Sequence, residues 1–263
     1  MRESIAVIYL ARGIDQNHLK SIQRFRESYQ RFNAGREHRL YLLFKGFKNP
    51  ETLDAVQQSF AGIAHESLFY EEDSSFDIGA YAWAAKKITE DHLCFFNTHS
   101  EIMASAWLEK FARNGIREGV GLVGATGSYE SLHPLDPLFP KFPNVHIRTN
   151  AFLIRREFFV ESTESLHIQN KKDAWMFESG PQSMTQRVLE KGLGIFIVGK
   201  NGRGYAPPSW PVSKIFLDGI QENLLVHDNH TRRFENLRWS QKDVCRRNAW
   251  GTFRNAEIHG KTL

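Results

Sequence analysis

Apolar runs and apolar stripes alternate along the first two hundred residues. Ile5-Ala-Val-Ile-Tyr-Leu10 is a continuous apolar run and predicts a buried strand, ended by Ala11-Arg12-Gly13. Leu19, Ile22, Phe25 and Tyr29 then recur at helical spacing with basic and polar residues between them. Residues 39–44 predict a second strand, closed by Lys45-Gly46, and Pro50 opens a helix whose apolar face is Leu53, Val56 and Phe60. Ser67 to Tyr70 predicts a short strand before the acidic loop Glu71-Glu72-Asp73. Phe76 to Ser100 then reads as a Gly-containing loop, a helix with Ala80, Trp83, Ala84 and Ile88 on one face, and the apolar strand 93–96. This βαβα order predicts an α/β fold with a mainly parallel central sheet flanked by helices, with strands 5–10, 40–44 and 93–96 as near neighbours.

The second half is less regular. Residues 103–112 predict a helix with Trp107, Leu108 and Phe111 inward, and 120–123 a strand. Residues 131–146 carry four prolines and read as a loop. His146 to Ile154 resumes strand character, and Arg155 to Phe159 starts a helix. Residues 171–180 read as an irregular, aromatic-rich loop, 182–191 as a helix ended by Gly192, and 195–198 as a last strand. The pattern predicts one domain over 1–263, with 200–263 as a loop-rich extension holding Trp210, Trp239 and Trp250.

Composition changes this picture little. Apolar content of 41% and charged content of 24% are those of an ordinary globular protein. A net charge of +4 suits an anionic ligand such as a nucleotide but does not argue for nucleic acid. Cys94 and Cys245 lie far apart, without disulfide or zinc spacing. No run approaches the ~18 apolar residues of a membrane span. Strand-like residues begin at Ile5 without a secretory h-region, so a cytoplasmic location is the expectation.

Three motifs carry candidate chemistry. Asn97-Thr-His-Ser-Glu101 follows the buried strand at once, and in open α/β sheets ligands bind beyond the carboxyl ends of strands. An N-cap at Ser100 is the plainer reading of the same residues. Gly119-Val-Gly-Leu-Val-Gly124 matches a dinucleotide fingerprint in letters only. A helix precedes it and no helix starts within it, so the glycines are expected to permit close backbone approach near a ligand. Asp173 and Glu178 flank Trp175, Met176 and Phe177, and apolar packing around Glu178 would raise its pKa into the range of a general base. Otherwise Glu178 complements the N-terminus of helix 182–191.

In this order of elements residues 5–200 resemble the GT-A glycosyltransferases, particularly the inverting enzymes that build bacterial polysaccharides. Asp77-Ile-Gly79-Ala-Tyr81 stands where that family has a loop of the form N-x-G-x-x-x-A-x-N. Asn97-Thr98-His99 stands at its D-x-D position, closest to the N-D-S of rhamnan-synthesis glycosyltransferases. Glu178 stands at the acidic pair, with Ser183 to Arg187 behind it as in L-S-x-R, and 173–180 is similar to the W-G-x-E-D type of acceptor loop. The segments 120–128 and 146–152 resemble bacterial proteins described as glycosyltransferase-like.

The resemblance implies a nucleoside diphosphate sugar donor and an acceptor hydroxyl on a glycan or lipid-linked molecule, with a place for peripheral membrane association. Glu72, Asp73 and Asp77 would lie near the donor base and ribose, and Asn97, His99 and Ser100 near the diphosphate. Glu178, with Asp173, would supply the base for an inverting transfer. Asn97, His99 and His227 would hold Mn²⁺ or Mg²⁺. Neither Asn97 nor His99 is a carboxylate, so Arg148, Lys171, Lys172 or Arg187 would neutralise the diphosphate in the metal's place. The alternative is a non-catalytic sugar-nucleotide or glycan-binding protein on the same fold. A nucleotide-dependent oxidoreductase comes third.

Overall fold

The computed structural model describes residues 3–15, 17–72 and 74–252. The chain begins β1 (Ile5–Arg12), α1 (His18–Arg31), β2 (Arg39–Lys45), α2 (Pro50–Ser59), β3 (Glu66–Tyr70), α3 (Phe76–Ala85) and β4 (His92–Phe96). It continues through β5 (Glu101–Ile102), α4 (Trp107–Gly115), β6 (Val120–Gly124), β7 (Gly127–Ser128), β8 (His146–Ile147) and β9 (Ala151–Arg155). Then come α5 (Arg156–Thr163), α6 (Lys171–Ser179), α7 (Met184–Glu190), β10 (Gly194–Val198) and β11 (Gly204–Tyr205). A 3₁₀ turn at Pro207–Val212 leads to β12 (Val226–His227), α8 (Asn229–Glu235) and α9 (Trp239–Trp250).

Among the described residues the main sheet runs in the order β11-β10-β6-β9-β4-β1-β2-β3. The pairs β1–β2, β1–β4, β2–β3 and β6–β10 are parallel. β9 is antiparallel to both neighbours, β4 and β6, and β11 is an antiparallel edge. The fold is therefore α/β, with a mainly parallel mixed sheet, and strands 5–10, 40–44 and 93–96 are neighbours as the pattern predicts.

Alternation along β1 divides the core into two layers. Ala6, Ile8 and Leu10 join Phe95, Phe152 and Ile154 under α3, α5, α6 and α7. Val7 and Tyr9 join Cys94, Phe96, Phe25 and Trp107 on the side of α1, α2 and α4. Both faces are buried, which is why β1 and β4 read as unbroken apolar runs. Residues 200–252 pack into the same body: β11 extends the main sheet, β12 pairs with β5, and Trp210 and Trp250 are each 1% exposed in the core. No helix among the described residues is long and apolar enough to cross a membrane.

The boundaries that differ have local causes. The helix expected over 103–112 starts only at Trp107, because Met103 N is taken up by Leu225 O at 3.0 Å and Ala106 turns through a left-handed conformation, φ 56°. The strand expected over 146–154 is broken at Arg148–Asn150, between β8 and β9. Residues 171–179 are a helix, not a loop: Asn170 Oδ1 accepts from the Asp173 amide at 3.1 Å, and Asp173 Oδ2 accepts from the Asn170 amide at 3.2 Å. That reciprocal capping box starts α6.

Candidate active site

Strand order reverses around β1, whose two neighbours β2 and β4 come later in the chain. Beyond the carboxyl ends of β1 and β4, at this switch point, lies a cavity of about 310 Å³. Arg12 and Asp15 reach it from the exit of β1, Asn97 and His99 from the exit of β4, and Asp77 from the first turn of α3. Because β9 runs backwards, its entry residues Arg148, Thr149 and Asn150 face the same cavity. Lys171, Ala174, Trp175 and Glu178 line it from one face of α6, at i, i+3, i+4 and i+7. Asn229 and His230 close it from the start of α8.

The floor is an extension of the β4–β9 ladder. Asn97 N donates to Asn150 O at 2.9 Å, one step past the Phe96–Ala151 pair. Asn97 Oδ1 accepts from the His99 amide at 3.1 Å and lies 3.0 Å from Ser100 Oγ. His99 Nδ1 is 3.0 Å from Ser21 Oγ, and its Nε2 is 3.8 Å from Asp15 Oδ2. Burial lowers the His99 pKa against the pull of Asp15, so the ring is neutral at pH 7. Arg12 pairs with Asp15 at 3.0 Å. Arg148 pairs at 2.8 Å with Asp228, which is fully buried, and its guanidinium lies over the Phe216 ring at 4.7 Å.

The two carboxylates aimed at catalysis and binding sit in opposite environments. Glu178 Oε2 accepts from the Thr149 amide at 2.9 Å and also from the Thr149 hydroxyl. Burial pushes its pKa up, but Arg148, His146 and the two Thr149 bonds more than offset this and hold it below the ordinary value. The expectation of a raised Glu178 is thus corrected: a cation and two donors face the carboxylate and outweigh its burial. Trp175 is 42% exposed at the cavity rim. Asp77 is the raised one, at about 6, through burial and then Asp15, against Arg12 and Lys45. The residue before it, Phe76, has φ 50°, a strained left-handed conformation for a non-glycine, and its carbonyl accepts from the buried Lys45 Nζ.

Asp77, Asn97, His99 and Glu178 are therefore brought together, with Arg148 and Lys171 beside them. The other expected residues lie elsewhere. Asp173 is held in the α6 capping box. Ser100 is buried behind Asn97, 3.1 Å from Asn150 O. His227 lies outside the cavity lining, 3.0 Å from Thr231 Oγ1 and 3.1 Å from Glu235 Oε1. Glu72 accepts from Tyr70 Oη and Ser74 Oγ at the surface, and Asp73 lies outside the described residues. Lys172 pairs with Asp136 at 2.6 Å, and Arg187 donates to Gln182 O. The glycines of 119–124 serve packing: Gly119 turns with φ 75°, and a Cβ at Gly121 or Gly124 would come within 2.6 Å of Val188 or 2.4 Å of Ile147.

The donor set does not suit a divalent metal. Asn97 Oδ1 is already engaged, His227 is remote, and among the described residues no three His, Cys, Asp or Glu side chains converge on one point. Arg12, Asp15, Thr149, Asn150, Asn229 and His230 were not singled out for the site from the sequence. Arg12 and Asp15 carried a usable signal, since they follow a buried strand just as Asn97 does.

No protein-family model matches the sequence, and no curated protein matches it. Among solved structures, it is similar to 4-diphosphocytidyl-2C-methyl-D-erythritol synthase from Anaerococcus prevotii (TM-score 0.48, 12% identity, covering 74% of this chain and 88% of that one). It is similar to CMP:2-keto-3-deoxy-manno-octonic acid synthetase complexed with CTP (TM-score 0.46, 11% identity, 78% and 94%). It is also similar to mouse xyloside xylosyltransferase 1 (TM-score 0.45, 9% identity, 74% and 85%). At such identities the likeness is one of fold, not of side chains.

Proposed function

We infer that the chain is a glycosyltransferase, moving a sugar from a nucleoside diphosphate to an acceptor hydroxyl of a glycan or lipid-linked molecule. The supporting observation is the convergence of Asp77 from α3, Asn97 and His99 from the exit of β4, and Glu178 from α6 in one cavity at the switch point of the sheet. At about 310 Å³ that cavity is at the low end of the roughly 300–1,000 Å³ of small-molecule sites.

In this reading the donor diphosphate lies at Asn97 to His99, and Arg12, Arg148 and Lys171 offset the charge that develops on it. Glu178 is ionised at neutral pH. One of its oxygens is committed to Thr149, and no hydrogen bond among the described residues falls on Oε1. Oε1 takes the acceptor proton as the acceptor oxygen bonds to the anomeric carbon. The bond from that carbon to the diphosphate oxygen breaks on the opposite face, and its electron pair leaves with the diphosphate. The configuration inverts, and no step requires a metal.

The same features favour a second reading, a non-catalytic sugar-nucleotide-binding protein, because a depressed carboxylate is a weak base. One experiment tests both. Thermal shift against nucleoside diphosphates and their sugars, with and without Mn²⁺, is followed by turnover on every binder. A metal-independent shift with transfer supports the first reading, and a shift without transfer or hydrolysis supports the second. Absence of any shift removes both.

A further inference from the structure

Buried polar atoms in folded proteins nearly always have a hydrogen-bond partner, so each exception asks for a reason. Among the described residues, seven buried side-chain atoms lack one: Glu3 Oε2, His18 Nε2, Arg26 Nε, Tyr81 Oη, His92 Nδ1, Asn150 Nδ2 and Arg156 Nε. Of these residues, Asn150 is the one that lines the cavity described above. It is 3% exposed.

Its amide orientation is fixed by its neighbours. Arg148 Nη1 donates to Thr126 Oγ1 at 3.4 Å, so Thr126, itself fully buried, has its proton free to donate. That proton goes to Asn150 Oδ1 at 2.7 Å. The relay Arg148 to Thr126 to Asn150 turns the carbonyl end of the amide toward Thr126 and leaves the NH₂ end without a partner. Flipping the amide would strand both the Thr126 proton and the Asn150 carbonyl, which costs more than it relieves.

The surroundings decide what the NH₂ meets. Asn150 follows Thr149, whose amide and hydroxyl hold Glu178. The Glu178 carboxylate is thus held by the residue next to Asn150, and both line the cavity. Arg12, Arg148 and Lys171 line the cavity together with Asp15, Asp77 and Glu178, so the group that suits Asn150 best is one that both accepts from its amide and donates to a neighbouring carboxylate. A hydroxyl accepts from the amide and donates to a carboxylate at once.

We propose that Asn150 binds a sugar: its Nδ2 donates to a hydroxyl of the transferred sugar, and that hydroxyl donates in turn to a cavity carboxylate. This rests on the glycosyltransferase reading and adds the residue that tells a nucleotide sugar from the bare nucleotide. Nδ2 is sealed from water, so binding includes a small movement of the cavity wall.

The test is isothermal titration of wild type and Asn150→Ala with UDP-, GDP-, ADP- and dTDP-sugars and with the matching nucleoside diphosphates. The quantity read is the ratio of the two Kd values, which cancels general electrostatic effects. Wild type should prefer the nucleotide sugar, and Asn150→Ala should lose roughly three- to tenfold of that preference, the size of one neutral hydrogen bond. Equal weakening of both ligands would place the contact on phosphate and overturn the proposal, as would an unchanged ratio. If Asn150→Ala fails to fold, the isosteric Asn150→Asp keeps the Thr126 bond and removes the donor, and the same ratio is read. If wild type binds no nucleotide or nucleotide sugar, the glycosyltransferase reading fails by itself. Free monosaccharides in saturation-transfer NMR then decide: signal lost in Asn150→Ala supports the sugar contact, and absence of signal in wild type overturns it.

Discussion

Of the three carboxylates that line the cavity, Asp77 and Glu178 have their proton affinities driven apart by their surroundings. Glu178 faces Arg148 and two donors on Thr149, so it stays ionised well into the acid range. Asp77 faces Asp15, and its pKa is raised to about 6. A pH–rate profile at saturating donor therefore identifies the base. If Glu178 takes the proton, activity persists until the pH falls below the ordinary carboxylate range, and Glu178→Gln lowers turnover by roughly 10²–10⁴-fold while leaving donor Kd nearly unchanged. An acid limb centred near 6 assigns the proton to Asp77 instead. Asp77 also makes a prediction about stability. Its folded pKa lies above its ordinary 3.8, so its contribution is fully favourable below that value and is lost as pH rises through about 6. At pH 8 the ionised carboxylate burdens the fold. Asp77→Asn should then be more stable than wild type in urea titrations, by on the order of 2 kcal/mol, and the gain should vanish near pH 4.

Elements with a clean period were legible in the sequence, and those whose stability comes from distant partners were not. β1, β2 and β4 each carry an unbroken apolar run, at 5–11, 40–44 and 93–96, because both faces are covered. α6 has a polar start and an aromatic middle, a pattern that predicts a loop. Its capping box is visible as Asn170 and Asp173 at the right spacing, but Asp173 also reads as a partner of the catalytic base Glu178. The polar cluster after β4 could be found from the strand rule, whereas Thr149 and Asn150 lie at a strand entry. They belong to the site only because β9 runs antiparallel, which no local pattern reveals. The glycines of 119–124 look like a nucleotide motif and are a packing device. Gly124→Ala tests this. Alanine suits a strand better than glycine by propensity, yet its Cβ would meet Ile147 at 2.4 Å and Thr126 O at 3.1 Å. Overpacking should win, costing about 1–3 kcal/mol in thermal or urea unfolding.

At the scale of the molecule, the last fifty described residues are tied into the site. Arg232 donates to the His99 carbonyl and pairs with Glu101 at 3.0 Å, and Asp228 holds Arg148. Asp228→Asn keeps the size of the side chain and leaves the buried guanidinium without a counter-charge. Removing one member of a buried pair typically costs about 3–5 kcal/mol, so the variant should unfold at markedly lower urea concentration, and ligand binding at the cavity should weaken with it.

The bond from Asn97 N to Asn150 O has a consequence for architecture. It makes the spacing of the two asparagines a dimension of the sheet, roughly the 4.8 Å between neighbouring strands. Side-chain replacement at either position changes the chemistry offered to a ligand but leaves that gauge untouched. A single inserted or deleted residue in the lead-in to β9 would instead shift the whole lattice by one pleat and turn Asn150 to the opposite face. A point mutation at either asparagine therefore alters what the cavity offers, whereas a change in the length of 146–150 alters where it is offered.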